Sequence, residues 1–198
     1  MPDLSIRMGQ TITPFGVGSI FTADGESFTA VDISVWDRTK GKGRKLECDR
    51  LAKYLKVQAL FEPRSEPSFS YGQNRSGSLP YYRFPRWLFC GRCRALVKWT
   101  VPMEKQLNGK KPSCSKCHSR LYPMRFIQVC SKGHMSDIDW RYWCHSRPGN
   151  DPEKRQCAAN DIRYVTIPNT GGGLASLEIR CGSAVCSARR NLSGLTSV

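Results

Sequence analysis

Ten of the 198 residues are cysteine and three are histidine. Four of the cysteines form two close pairs, Cys90-x2-Cys93 and Cys114-x2-Cys117, with 20 residues between them. Thiolates are the favoured ligands of tetrahedral zinc, and four of them fill its shell and leave no open position for water. This spacing fits the zinc-ribbon pattern, in which each close pair sits on a tight turn, so Cys90, Cys93, Cys114 and Cys117 are predicted to hold one structural Zn2+ ion. Disulfides are the other common use of many cysteines. The start of the chain, Met1 to Ser5, carries no basic segment followed by an apolar run. A cytoplasmic chain is therefore expected, and a reducing compartment disfavours disulfides.

The remaining cysteines suggest a second Zn2+ site. Cys130-x3-His134, His145, Cys157 and Cys181-x4-Cys186 offer six candidates for four places. Cys157 and Cys181 bracket an expected hairpin that would bring both beside Cys186. Cys130 is taken as the fourth ligand, with His134 or His145 as the alternative. Cys48 and Cys144 read as buried small hydrophobic groups.

Catalysis has weaker support. Cys130 and His134 could pair as nucleophile and base. Asp137 and Asp139, with His134, could hold a catalytic metal in a nuclease-like site. However, the deaminase, Walker, HExxH and GxSxG signatures are all absent. A non-enzymatic chain is expected, with the metal-dependent nucleic-acid enzyme as the competing reading.

Charge points to the partner. The formal net charge is +15. Residues 83–125 hold 11 basic side chains and one acidic, Glu104, whereas residues 1–82 hold 11 and 9 and residues 126–198 hold 9 and 6. The basic set Arg83, Arg86, Arg92, Arg94, Lys98, Lys110, Lys111, Lys116, Arg120 and Arg125 surrounds the first four cysteines. Tyr81, Tyr82, Trp87 and Trp99 interleave with it. Alternating cations and aromatics suit phosphate contact and base stacking, so DNA is the expected partner of this face, with an acidic protein patch as the alternative. No stretch approaches the ~20 apolar residues of a membrane span, and no membrane partner is expected.

The elements that must position these groups read as a β-rich α+β chain of small zinc-stabilised domains around a zinc-ribbon-like centre. Residues 1–62 are expected to form a small unit. Its parts are a strand over Ser5 to Thr13, a hairpin turning at Asp24-Gly25, the basic loop Arg38 to Lys45, and a helix over Leu46 to Val57. In that helix Leu51 and Leu55 share one face. Residues 63–80, rich in Pro, Ser, Gly and Asn, read as a linker. Residues 81–125 form the basic ribbon, with strands over Tyr81 to Phe89 and Ala95 to Val101 and a Lys-rich connection over 103–113. Residues 126–198 form a second, metal-bound β region. There a helix is expected over Ser136 to Cys144 with Ser136 as its cap, and a hairpin over Ile162 to Ile167 and Leu174 to Ile179.

The motifs also resemble a known family. Phe84-Pro85-Arg86-Trp87-Leu88-Phe89-Cys90-Gly91-Arg92-Cys93 is followed by Arg125-Phe126-Ile127-Gln128-Val129-Cys130-Ser131-Lys132-Gly133-His134, then by Asp137-Ile138-Asp139-Trp140 and His145. With Arg7-x-x-Gln10 and Phe15-Gly16-Val17-Gly18, these resemble the N-terminal part, or a short homologue, of the DrmB family, subunits of the bacterial anti-phage defence system DISARM. The resemblance implies a non-catalytic accessory subunit in a hetero-oligomer. It also implies a Swi/Snf-type, DrmA-like helicase as partner and engagement of foreign DNA beside a methyltransferase.

Overall fold

The structure is a computed structural model and describes residues 7–35, 44–62, 81–146, 157, 161–168 and 170–196. The chain divides into two compact units, Met1–Phe84 and Pro85–Val198. Segment 63–80, expected as the linker, and the basic-loop residues 38–43 lie outside the described residues.

In the first unit, β1 (Ile20–Ala23) and β2 (Glu26–Ala30) pair antiparallel as expected, with Ala23 opposite Glu26. The two-residue turn between them needs positive φ at both positions to match the strand twist. Asp24 (φ 50°) and Gly25 (φ 74°) supply it. Short strands β3 (Lys45–Leu46) and β4 (Leu60–Phe61) flank α1 (Asp49–Leu55). The helix is shorter than the expected 46–57, because Lys45 and Leu46 pair with Phe61 and Leu60. Its leucines face solvent, Leu51 at 44% and Leu55 at 49% exposure, and Cys48, expected to be buried, is exposed just before the helix. No strand forms over residues 7–13. Met8–Thr11 is a 3-10 turn instead, closed by the Arg7 amide donating to Gln10 Oε1 (2.9 Å). Ser5 and Ile6 lie outside the described residues.

The expected strand over 81–89 is split, and the split decides where the units divide. Its first part, β5 (Tyr81–Arg83), adds to β2 in the first unit. Pro85, which has no N–H to donate, follows. The second part, β6 (Trp87–Cys90), belongs to the second unit.

The second unit continues through β7 (Ala95–Lys98), α2 (Val101–Gln106), β8 (Leu121–Pro123), β9 (Ile127–Val129), β10 (Met135–Asp137), α3 (Trp140–His145), β11 (Ile162–Thr166), β12 (Leu177–Cys181) and β13 (Arg189–Asn191). Six strands make one antiparallel sheet in the order β13-β12-β11-β7-β6-β8. The regions drawn from sequence at 81–125 and 126–198 share this sheet, joined where Ile162 and Arg163 of β11 face Leu96 and Ala95 of β7. Strand alternation divides the side chains between two cores. Trp87, Leu96, Trp140, Ile162, Tyr164, Ile179 and Leu192 fill one face. Leu88, Cys90, Ala95, Trp99, Cys114 and Leu121 fill the other. The strand expected over 95–101 stops at Lys98, since Pro102 sits in the first turn of α2, where its missing N–H costs nothing. That helix occupies part of the expected Lys-rich connection. The hairpin β11–β12 forms, from Ile162 opposite Cys181 to Thr166 opposite Leu177, but its second strand begins three residues later than expected because Leu174–Ser176 is a 3-10 turn, and Asn169 lies outside the described residues.

The helix expected over 136–144 begins later. Ser136 pairs with Gln128 in the hairpin β9–β10, and the cap is Asp139, whose Oδ1 accepts from the amides of Arg141 and Tyr142 at 3.0 Å each. Replacing a capping carboxylate by alanine leaves those amides unsatisfied, so Asp139→Ala should lower unfolding free energy by about 1 kcal/mol. Urea denaturation checks this against Asp139→Asn, which keeps the acceptor. Equal losses in both variants would refute the cap.

Candidate metal centres

The first centre lies where β6 ends and β8 is about to begin. Cys90 closes β6, Cys93 sits in the turn to β7, and Cys114 and Cys117 lie in the loop before β8. The four sulfurs all lie within 4.8 Å of one another, with Cys90–Cys117 at 3.4 Å and Cys93–Cys114 at 3.5 Å. The two turns share one geometry. The amide of Arg94 donates to the Cys90 carbonyl (3.2 Å), and the amide of His118 donates to that of Cys114 (2.8 Å). Both residues are left-handed, at φ 62° and 56°. In the first turn the amides of Arg92 and Cys93 also point at Cys90 Sγ, each at 3.4 Å. Amides aimed at sulfur favour a thiolate.

The set is electrostatically frustrated without a cation. The backbone amide of Ser119, then its hydroxyl, draws the Cys117 thiol down to about 6. The Ala95 amide also favours a thiolate at Cys93, but burial and the neighbouring sulfurs outweigh it and hold that thiol at about 12. A metal cation removes the repulsion and lets all four ionise, so the donor set fits one. An ion with metal–sulfur bonds of ~2.3 Å in tetrahedral geometry spaces its sulfurs ~3.8 Å apart, close to the separations observed.

The second centre gathers His145, Cys157, Cys181 and Cys186, again with all ligand atoms within 4.8 Å. Cys157 and Cys181 Sγ are 3.9 Å apart. His145 ends α3 and is buried. Its Nδ1 lies 2.7 Å from the Arg141 carbonyl. A carbonyl is an acceptor only, so the proton sits on Nδ1. Nε2 is then left with a lone pair, buried and without a hydrogen-bond partner. A buried imidazole held this way on its far side is the usual arrangement of a metal-binding histidine, and this orphaned atom fits an ion. The same Arg141 donates through Nη2 to the Cys157 carbonyl (3.0 Å), tying that ligand to α3.

The wide Cys181-x4-Cys186 spacing has a local cause. Ser187 is left-handed (φ 46°), and its amide lies 3.5 Å from the Ser183 carbonyl, as in the other two turns. Ser183 thus takes the first turn position, and Cys181 supplies its sulfur from the end of β12.

The fourth member of this group is therefore His145, and Cys130, the expected fourth, is not among them. Cys130 is exposed at the tip of β9–β10, its Sγ 3.5 Å from His134 Nδ1, in a turn where its amide donates to the His134 carbonyl (3.1 Å). Cys144 is buried as expected. Its thiol lies 3.4 Å from the Ala188 carbonyl, and burial pushes it up to about 12. The candidate catalytic carboxylates serve the backbone. Asp137 accepts from the Arg86 amide (3.0 and 3.3 Å) and, half-buried, is raised by desolvation, while Asp139 caps α3. Among the described residues no third group of His, Cys, Asp and Glu gathers for a metal.

Several members of the basic set are engaged within the fold. Arg83 is in the first unit, buried at 6% exposure, paired with Glu26 (3.4 Å) and lying over the Phe28 ring. Arg94 donates through Nε to the Tyr164 carbonyl (2.7 Å), with its guanidinium 5.0 Å from the Phe89 and Tyr164 ring centroids. Lys116 pairs with Asp161 (2.7 Å). Lys111 and Arg120 are half-buried, and Arg120 lies over Tyr122. Arg86, Arg92, Lys98, Lys110 and Arg125 are exposed. Trp87 and Trp99 belong to the two cores and cannot stack on bases, and half-buried Tyr81 donates its hydroxyl to the Phe15 carbonyl (2.7 Å). Tyr82 stays exposed in the first unit. No helix of the described residues is long and apolar enough to cross a membrane.

Two comparisons bear on this arrangement. The chain is 28% identical over 173 residues to the DISARM protein DrmB of Bacillus paralicheniformis (strain ATCC 9945a / NCIMB 11709 / CD-2). The match covers 85% of this chain but 27% of that protein, so the chain spans little more than a quarter of its relative's length. A family profile described as a domain of unknown function, DUF8724, matches residues 7–198. That span takes in every ligand of both centres, and on it the chain belongs to the DUF8724 family.

Proposed function

We propose that this chain is a non-catalytic, zinc-binding accessory subunit of a cytoplasmic phage-defence complex, contacting DNA and docking a Swi/Snf-type helicase. The observation that carries the reading is the pair of closed donor sets. Three thiolates and an imidazole, or four thiolates, suit zinc. With four protein ligands each, neither set keeps a position for substrate or water, so both ions would be structural. Similarity to the DISARM protein DrmB supports the defence context. The commitment of Asp137 and Asp139 to backbone amides argues against the nuclease-like alternative.

Metal analysis of the purified chain should find close to two zinc ions, and none would overturn the reading. Co-purification from the native host tests the helicase. For the DNA contact, Arg92→Glu with Lys110→Glu should weaken binding and lower the slope of log K against log salt by about two, one for each phosphate that is no longer neutralised. Fluorescence anisotropy across a salt series measures both, and an unchanged slope would assign these cations to solvation.

A further inference from the structure

Three arginines that are distant in sequence fall in one line across the sheet. Arg163 of β11 is directly opposite Arg180 of β12, and Arg180 is directly opposite Arg189 of β13. Residues in register on neighbouring antiparallel strands point to the same face. Here that face is opposite the larger core, since Ile162, Tyr164, Ile179 and Ala188 alternate with the arginines and pack inward. All three arginines are exposed.

The line ends at the first metal centre. Arg163 is opposite Ala95 of β7, which packs in the smaller core with Cys90 and Cys114. Lys116, between Cys114 and Cys117, reaches Asp161, two residues before Arg163.

Like charges directly opposite one another weaken a sheet. A surface needing only solubility has no reason to align them, and one acidic group relieves the repulsion at the middle of the row. Glu178, buried on the same strand, pairs with Arg180, and Arg180 stays 46% exposed. Arg163 and Arg189 have no acidic partner among the described residues.

We infer that Arg163, Arg180 and Arg189 form a phosphate-contact row for a nucleic-acid backbone. Strands are ~4.8 Å apart, so the row spans about 10 Å. A strand of DNA carries one phosphate per nucleotide, so a backbone lying along a row of this length presents more than one phosphate to it. All three members are arginine, whose planar fork meets phosphate oxygens two at a time. A backbone-reading row of this kind is indifferent to sequence.

The inference rests on the nucleic-acid reading above, and one experiment separates the two. Anisotropy on the full, metal-loaded chain uses a random-sequence DNA duplex and a single strand over a salt series. It compares wild type, Arg163→Gln with Arg189→Gln, and Arg92→Glu with Lys110→Glu. The row variant should bind at least tenfold more weakly at physiological salt, with a slope reduced by about two. Its metal content should be unchanged and its Tm equal or higher, because a repulsion has been removed. Row-variant binding within twofold of wild type, while the Arg92/Lys110 variant weakens, removes the row and keeps the DNA reading. A wild-type chain that binds neither probe overturns both.

Discussion

Stripping the two proposed zinc ions from the purified chain should abolish the cooperative unfolding of the Pro85–Val198 unit. The smaller core shows why. It consists of Leu88, Cys90, Ala95, Trp99, Cys114 and Leu121, so two of its six buried members are ligands of the first centre. The larger core likewise includes Cys186, with Cys157 and Cys181 packed against it. Structural zinc contributes on the order of 10–16 kcal/mol of apparent binding free energy in small zinc-dependent folds. A domain's net stability is roughly 5–15 kcal/mol. Two contributions of that size together exceed a net stability in that range. Without the cation, nothing offsets the mutual repulsion of thiolates gathered within 4.8 Å of one another. Near-UV circular dichroism reports directly, because Trp87, Trp99 and Trp140 are buried in the two cores. The metal-free chain should lose that signal and its sharp thermal transition, and zinc should restore both. Cys114→Ser should reproduce the loss around Trp99 while leaving one ion bound. A metal-free chain with unchanged Tm and near-UV spectrum would show that the cores stand without their ligands.

How much of this arrangement was legible depended on the reach of each signal along the chain. The two Cys-x2-Cys turns are local, and their spacing alone named the four residues that gather. The Asp24-Gly25 turn was equally local. Element ends were lost where pairing partners lay far off. Leu46, the first residue of the expected helix, is instead taken with Lys45 into pairing with Leu60 and Phe61, and Tyr81–Arg83 goes to the N-terminal hairpin. A charge count along the chain does not separate engaged cations from exposed ones. Arg83 and Arg94 belong to the basic segment, yet one is ion-paired and the other lies against the Phe89 and Tyr164 rings. Conversely Arg163, Arg180 and Arg189 sit in the near-balanced C-terminal segment, and only strand register aligns them. The fourth ligand of the second centre failed for the same reason. His145 was one of several candidates, and what selects it is that α3 lies on β12. Cys144 of α3 meets the Ile179 carbonyl there, and Cys181 ends that strand. A histidine in the last turn of a helix whose buried residues are Trp140 and Cys144 was the available signal, and it gains meaning only once the helix has a neighbour.

That selection can be tested by exchange. His145→Ala should cut metal content after dialysis from two ions to one, whereas Cys130→Ser should leave two. Three thiolates remain in the alanine variant, but the shell is open to water. The Arg141 carbonyl also loses the imidazole donor it accepts from, while the Arg141 Nη2 bond to the Cys157 carbonyl remains. Losing only an orienting outer-shell partner of a metal ligand costs about 10–100-fold in affinity, and losing the ligand itself should exceed the upper end of that range. His145→Cys should retain two ions, because sulfur replaces nitrogen in a site that already favours thiolates. Cobalt substitution distinguishes the cases spectroscopically. Wild type should show one four-sulfur and one three-sulfur centre, and His145→Cys should strengthen the sulfur-to-cobalt absorption. Cys130→Ser removes an exposed thiol whose neighbour at 3.5 Å is His134, so nothing in the second centre should respond. The reverse pattern, an ion lost with Cys130 and kept without His145, would require the β9–β10 tip to reach the ligand group. It would also leave the buried Nε2 of His145 with no ion to accept its lone pair.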